Sequence, residues 1–506
     1  MLLENNKKMF LYEVDPLFFY DNNDDGFGDF SGFIKKIDYF NFLNIDGIVF
    51  PDIFNQEDII LKNVQVNIFD KYGNINELKK IINLLAENKK EFFIEINLEK
   101  ILNSAIIKTS LEDFKLKDIS QFIEEENSFS NNDLNWNTEK RINAFKKIIE
   151  FWTKINVNNF IFTDFEYLYD SNNKLDSKLL KQLKILYSTT KEINPKAKIG
   201  IKSLFFQNKI INTIFKKYIS VICDFYIDAS YSLIATEKKY PFDIMKKFVY
   251  KNVFKKIKKI KIKKQNISKY FISFNNNKIG RVNSRWLNEN NLINESNKCL
   301  LMLSNMLPYS SITYYGDEIG TLRLNINSKD DFYDYEYVEK KRKMEFNEFK
   351  ILDFEYSQKF LSRINAQSTF VWSNELNGGF SKHKKIFRKL PINYLTHNLK
   401  NEYSYPDSIV NFFRNIINLT KKFSFNNDSE KEKMIIKLRN KTFIIKICEK
   451  EEQKLIVINL SNKSINKKIN NNWEVKISTL PNKTYNDSIK MLCPYESLIL
   501  SKKTKN

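Results

Sequence analysis

Histidine is almost absent from this chain: His383 and His397 are the only two among 506 residues. Cysteine is nearly as scarce. Cys223, Cys299, Cys448 and Cys493 stand singly with no paired spacing. That pattern argues against a disulfide framework and against a zinc site, and it fits a reducing compartment, the cytoplasm. Long apolar runs are missing too. Nothing approaches the roughly eighteen consecutive apolar residues of a membrane-spanning helix, so no span is expected. The opening Met1-Leu-Leu-Glu-Asn-Asn-Lys-Lys reaches charge too soon to read as a signal peptide.

What is abundant is lysine. The formal net charge is +21, which raises nucleic acid as a partner. Lysine and asparagine are enriched along the whole chain, however, without marking out one basic face, and no nucleic-acid partner is expected. In the densest run, Lys251 to Lys264, the residues Val253, Phe254, Ile257 and Ile260 recur at helical spacing. Its lysines therefore read as the solvated side of an amphipathic helix.

The length leaves room for two or three domains. From Met9-Val14 onward, short apolar strands alternate with amphipathic helices. The expected strands are Gly47-Phe50, Phe92-Ile96, Phe160-Phe162, Lys198-Ile201, Val221-Cys223, Tyr270-Ser273 and Ser311-Tyr314. Eight strands apolar on both faces, each followed by a helix, imply an α/β fold: a closed parallel (β/α)8 TIM barrel. Residues 1–100 and 134–428 would form that barrel, with a longer excursion at 321–400 after the eighth strand. Polar, irregular residues 101–133 read as a small inserted subdomain. From 429 to 506 short strands imply a separate antiparallel β domain of sandwich type.

One loop stands apart. In Asp21-Asn-Asn-Asp-Asp-Gly-Phe-Gly-Asp29, oxygen-bearing side chains recur at Asp21, Asn23, Asp25 and Asp29, Gly26 allows a sharp turn, and Phe27 can offer its carbonyl. The alternation suits a hard cation such as Ca2+ or Mg2+. Gly32 occupies the place where an EF-hand needs its glutamate, and a strand precedes the loop, so it is no EF-hand. Taken alone, the run reads equally as a solvated acidic turn.

Tyr12-Glu-Val-Asp-Pro16 followed by Phe19-Tyr-Asp-Asn-Asn-Asp-Asp-Gly-Phe-Gly-Asp29 resembles the opening of the α-amylase superfamily, glycoside hydrolase family 13. So do Asp133-Leu-Asn-Trp-Asn137, Thr313-Tyr-Tyr-Gly-Asp-Glu-Ile-Gly320, Ser362-Arg-Ile-Asn-Ala-Gln-Ser-Thr-Phe-Val-Trp372 with Asn377-Gly-Gly-Phe380, and Cys493-Pro-Tyr-Glu496. The closest resemblance is to oligo-α-glucosidases and trehalose or trehalose-phosphate hydrolases. It implies a structural calcium or magnesium ion held by Asp21, Asn23, Asp25, the Phe27 carbonyl and Asp29.

Retaining hydrolysis of a glucoside needs a nucleophilic carboxylate and an acid/base carboxyl about 5–5.5 Å apart. The resemblance puts the nucleophile at the end of the fourth barrel strand, where Asn159-Phe-Ile-Phe-Thr163 offers Ile161 for the expected arginine and Thr163 for the aspartate. Asp164 follows, but strand alternation should aim it away from the interior; only a local slip or bulge would bring it back. The acid/base position falls on Ile201 or Lys202. Asn275-Asn-Asn-Lys278 replaces the family's Asn-His-Asp motif, leaving Asn277 or a neighbour without an acid. Glu95-Ile-Asn-Leu-Glu-Lys100 replaces its third-strand motif, and Arg363 survives from the post-barrel segment.

The losses are concentrated where the sugar pocket should lie, so the expectation is a non-hydrolytic homologue of carbohydrate metabolism that binds an α-glucoside or a partner, with no catalytic residue of the family retained. One alternative is an α-glucoside hydrolase with relocated carboxylates drawn from Glu95, Asp164 and Glu166. Another is an interaction subunit of a transporter, although the family members that play that part carry a membrane helix.

Overall fold

The structure, a computed structural model, describes residues 7–53, 59–61, 64–66, 71–98, 139–165, 177–238, 242–287, 289–326, 341, 348–423, 433–439, 442–449, 452–485 and 488–503. The expected 101–133 subdomain and Glu166 lie outside these residues.

Eight parallel strands close into a barrel in the order β1-β10-β9-β8-β7-β6-β5-β2. They are β1 (Phe10–Glu13), β2 (Gly47–Phe50), β5 (Glu91–Asn97), β6 (Asn159–Thr163), β7 (Lys198–Ser203), β8 (Phe225–Asp228), β9 (Tyr270–Ser273) and β10 (Ser310–Tyr314). A small hairpin, β3 (Ile59–Leu61) with β4 (Val64–Val66), follows β2. Strand alternation divides the apolar residues into two cores. Leu11, Val49, Phe93, Ile161, Phe225, Ile227, Phe271 and Ile312 fill the barrel itself. Their neighbours, such as Tyr12, Ile48, Ile94, Phe162 and Ile201, face the surrounding helices.

Those helices are α1 (Phe30–Lys35), α2 (Asp38–Phe42), α3 (Ile75–Glu87), α4 (Glu139–Lys154), α5 (Ser177–Ile193), α6 (Asn208–Thr213), α7 (Tyr250–Lys259), α8 (Val282–Trp286), α9 (Ile293–Met306), α10 (Glu348–Leu361), α11 (Leu399–Ser404) and α12 (Ile409–Thr420). Their starts follow local chemistry. Asn74 caps α3 by accepting from the Asn76 and Glu77 amides while Glu77 reaches back to the Asn74 amide, a reciprocal pair that satisfies otherwise orphaned donors. In α7 Val253 and Ile257 are buried and four of the five lysines lie outside, as the periodicity predicts, while Lys256 turns in to Asp228.

The sixth strand differs from the expected Val221-Cys223. α6 runs on into a π turn, Ile214–Tyr218, and Ser220 then takes a left-handed φ of 65°. Ile222 and Cys223 are fully buried beneath that turn, so their apolar character serves packing, and the strand begins at Phe225.

Beyond the barrel, β11 (Lys433–Arg439), β12 (Thr442–Cys448), β13 (Glu452–Ile458), β17 (Ser497–Lys503) and β15 (Glu474–Ser478) form an antiparallel sheet in that order. β14 (Ile465–Ile469) pairs with β16 (Ile489–Leu492), two strands that the sequence pattern did not reveal. The sheet packs on the barrel's helices: the Phe254 and Phe443 rings meet edge-on at 5.7 Å.

Candidate functional site

Above the apolar filling, the next inward positions of the strands are polar. Two residues beyond Leu11 comes Glu13; beyond Phe93 come Glu95 and Asn97; beyond Ile161 comes Thr163; beyond Phe271 comes Ser273. All are buried. Period-two geometry therefore sends these side chains to the C-terminal mouth, where barrel enzymes build their sites. Between the two residues the sequence left open on β7, Ile201 packs outward and Lys202 points in. Gly200 beside it is required by volume: a Cβ there would stand 2.3 Å from the Phe225 ring.

Lys202 is the centre of the mouth. Its Nζ donates to both oxygens of Glu13 at 2.8 Å and to Glu95 Oε1 at 2.5 Å. Burial works against the ammonium, but Glu13 and Glu95 outweigh it and hold the lysine above its ordinary range. One ammonium between two carboxylates leaves a surplus negative charge in a dry site. Burial pushes the Glu13 carboxyl up to about 7, Lys202 pulls against that, and Glu95 adds to it. The extra proton thus falls to Glu13 near neutral pH.

Asp164 does not aim away as strand alternation predicts. β6 ends at Thr163, and Asp164 adopts φ 54°, a left-handed turn that swings its carboxylate back over the mouth. There it accepts from Thr163 Oγ1 at 3.0 Å and pairs with Lys278 Nζ at 2.9 Å. Glu95, Thr163, Asp164, Lys202, Leu204, Asn276, Asn277 and Lys278 line a cavity of only about 10 Å3. That is about the volume available to a single water. A hexose cannot enter it without displacement of these side chains.

Asn275 is turned to structure. Its amide donates to Asn283 Oδ1 at 2.7 Å and Asp317 Oδ1 at 2.9 Å, while its oxygen accepts from the Val282 amide at 2.7 Å. The fully buried Arg281 guanidinium donates to the Tyr315 carbonyl and to Asp317, tying the residues after β9 to those after β10. Burial raises the Asp317 carboxyl to about 6, against the pull of Arg281. His383 and His397 both lie outside the mouth, and burial lowers the His397 imidazole to about 4.

Glu13 and Lys278 are the members that sequence reading passed over. Glu13 could have been found by counting two residues from an inward Leu11. Lys278 could not, because its position depends on the turn after β9.

The loop at Asp21–Asp29 folds on itself. Asp21 accepts from the Asp24 and Gly26 amides, Asn23 from Asp25, and Asp25 from Phe27, while Asp29 Oδ2 accepts from Asn22 and Asn23. Asp29 Oδ1 caps α1 through the Gly32 amide. Lys71 pairs with Asp25 at 3.1 Å. Among the described residues no group of three or more His, Cys, Asp or Glu side chains is arranged to hold a metal. The donor types suit a hard cation, but the Asp21, Asn23, Asp25 and Asp29 side chains are engaged in the loop's own hydrogen bonds, and Lys71 supplies one positive charge to it.

Residues 215–427 match the family described as alpha amylase, catalytic domain. Over 501 residues the chain is 23% identical to a glucan 1,6-alpha-glucosidase of Streptococcus pneumoniae, covering 89% of this chain and 90% of that protein. An oligo-1,6-glucosidase of Bacillus cereus is 29% identical over 152 residues, 29% of this chain and 26% of that one. Among solved structures, the isomaltulose synthase of Klebsiella sp. LX3 superposes with a TM-score of 0.77 at 17% identity, covering 98% and 99% of the two chains. The trehalose-6-phosphate hydrolase of Bacillus licheniformis superposes at 0.76 and 16% identity over 99% and 100%. At such identities these two structures speak for the fold alone. Residues 215–427 thus carry the alpha-amylase catalytic-domain match, glycoside hydrolase family 13, and the chain is similar to a glucan 1,6-alpha-glucosidase and an oligo-1,6-glucosidase.

Proposed function

We propose that this protein is a non-hydrolytic member of its family that acts through binding, as a partner or scaffold. The observation that carries the reading is Lys202. It occupies the inward position at the end of the fifth barrel strand and is clamped by Glu13 and Glu95. An ammonium held above its ordinary range cannot donate a proton to a leaving glycosidic oxygen as a carboxylic acid does. Thr163, at the nucleophile position, is a hydroxyl whose hydrogen-bond partner among the described residues is an aspartate already paired to Lys278. The small cavity supports a protein partner over a sugar in the mouth. The four free cysteines support a reducing compartment, the cytoplasm.

A second reading keeps hydrolysis, with relocated carboxylates. Asp164 and Glu95 both reach the mouth, which favours it; each is already neutralised by a lysine, which does not. Incubation of the purified protein with maltose, isomaltose, trehalose and a nitrophenyl α-glucoside decides between them. No turnover above an equal concentration of heat-denatured protein is expected. Turnover that Asp164→Asn abolishes overturns the non-hydrolytic reading.

The Asp21–Asp29 loop is proposed to take Ca2+ or Mg2+ through Asp21, Asn23, Asp25, the Phe27 carbonyl and Asp29, for which the donor types are the support. Its part would be to brace the segment after β1.

A further inference from the structure

Acidic residues make up 61 of the 506, about one in eight, yet positions 244–288 contain none against fourteen lysines and arginines. The depletion of acid, more than the supply of lysine, separates this stretch from the rest of a lysine-rich chain. Tertiary structure then enlarges it. α5, α6 with its π turn, and α7 follow the consecutive strands β6, β7 and β8, so they stand side by side on the barrel's exterior. Asn208 and Asn212 of α6 donate to the Lys256 and Lys259 carbonyls of α7, and the Lys184 ammonium of α5 lies 5.8 Å from the Tyr218 ring. Together the three segments carry twelve lysines and one acid, Glu192. Ten of the twelve are exposed; the other two, Lys191 and Lys256, are paired with Asp224 and Asp228. The sequence alone showed no single basic face, and the barrel assembles one from three separated segments.

We propose that this face docks the protein on an anionic lipid surface, with the barrel mouth turned away from the bilayer. Helices of a barrel run back from the C-terminal mouth, so the ends of α6 and α7 lie toward the opposite pole. There Lys184, Lys216, Lys217, Lys258, Lys259 and Lys261 gather, and among the described residues none has a carboxylate partner. Val221 stands 40% exposed on the turn just past the π segment. An apolar tip among solvated ammonium groups matches a headgroup layer, where lysine is attracted electrostatically and a short apolar side chain can enter the interface. Nucleic acid fits less well. The face is the outside of a barrel, no arginine lies among these twelve cations, and the aromatic rings of the three segments are buried or half-buried, with none standing fully out for base stacking.

Co-sedimentation of the full chain with phosphatidylglycerol vesicles and with phosphatidylcholine vesicles tests this, at low and at physiological salt. Binding to the anionic vesicles alone is expected, falling at least tenfold in Lys216→Glu/Lys217→Glu/Lys258→Glu/Lys259→Glu. A control, Lys79→Glu/Lys80→Glu/Lys154→Glu/Lys490→Glu, removes the same charge from scattered exposed positions and should retain most of the binding. The milder Lys216→Gln/Lys217→Gln covers the case in which the fourfold variant does not fold, with a several-fold loss expected. Equal losses in patch variant and control would assign the effect to net charge and overturn the proposal. Binding to a DNA duplex without binding to anionic vesicles would overturn it in favour of nucleic acid, and binding to neither would overturn it outright.

Discussion

Replacing Lys202 with methionine keeps the volume of the side chain and removes its charge, leaving Glu13 and Glu95 facing each other across a buried mouth. Each contact of 2.5–2.8 Å is worth on the order of 6 kcal/mol at an effective dielectric of about 20. Desolvation of three charged groups offsets most of that total, several kcal/mol per ion. What remains when one partner is removed is the strain of an uncompensated buried charge, about 3–5 kcal/mol. The loss must depend on pH, because protonation of the carboxylates relieves it. At pH 8, Lys202→Met is expected to destabilise by about 3–5 kcal/mol. At pH 5 the Glu13 carboxyl, already raised to about 7, holds its proton in the variant, and the cost should shrink toward roughly 1 kcal/mol, the scale of a volume-conserving core substitution. Urea unfolding of wild type and variant, followed by tryptophan fluorescence at both pH values, measures the two differences. Adding Glu13→Gln should recover part of the loss at pH 8. Equal losses at the two pH values, or a loss below about 1 kcal/mol at pH 8, would refute the electrostatic account of the mouth.

Glu13 also makes a prediction for the unaltered protein. Its folded carboxyl is raised from 4.5 to about 7, so the folded chain holds the proton more tightly than the unfolded one. That contribution is complete below about 4.5 and is lost as pH rises through 7. Glu13→Gln should remove about 3 kcal/mol of pH dependence over this window, read from unfolding midpoints. Gly200→Ala would place a Cβ 2.3 Å from the Phe225 ring; a loss of about 1–3 kcal/mol is expected, and an unchanged midpoint would contradict the packing. Calcium should raise the melting temperature and a chelator lower it, both effects vanishing in Asp21→Ala; a melt indifferent to both additions removes the cation from the loop.

The barrel was legible because its strands are buried on both faces. Gly47–Phe50 and Tyr270–Ser273 are uniformly buried, largely apolar runs separated by amphipathic helices, and such runs announce themselves without knowledge of what they touch. Val221-Cys223 failed by the same rule. An apolar triplet just after a π turn has the composition of a strand, and only the ladder from Phe225 onward distinguishes them. β14 and β16 escaped because Ile465–Ile469 and Ile489–Leu492 bury only their ends and expose what lies between.

At the mouth the division is sharper. Sequence by itself determined which residue types stand at the strand ends: a threonine at 163, a lysine at 202 and asparagines at 275–277. It could do so because strand position and side-chain period are local properties of the backbone. It left Ile201 and Lys202 undecided and sent Asp164 the wrong way. Tertiary structure decided both, through a left-handed φ at one strand end and through charges delivered from elsewhere. Glu13, Glu95 and Lys202 are separated by as many as 189 residues, and their meeting is a property of barrel closure that no local stretch encodes. The basic face has the same origin. Its lysines are visible singly along α5, α6 and α7, but only the parallel order β6, β7, β8 sets the three helices side by side and turns scattered charge into a surface.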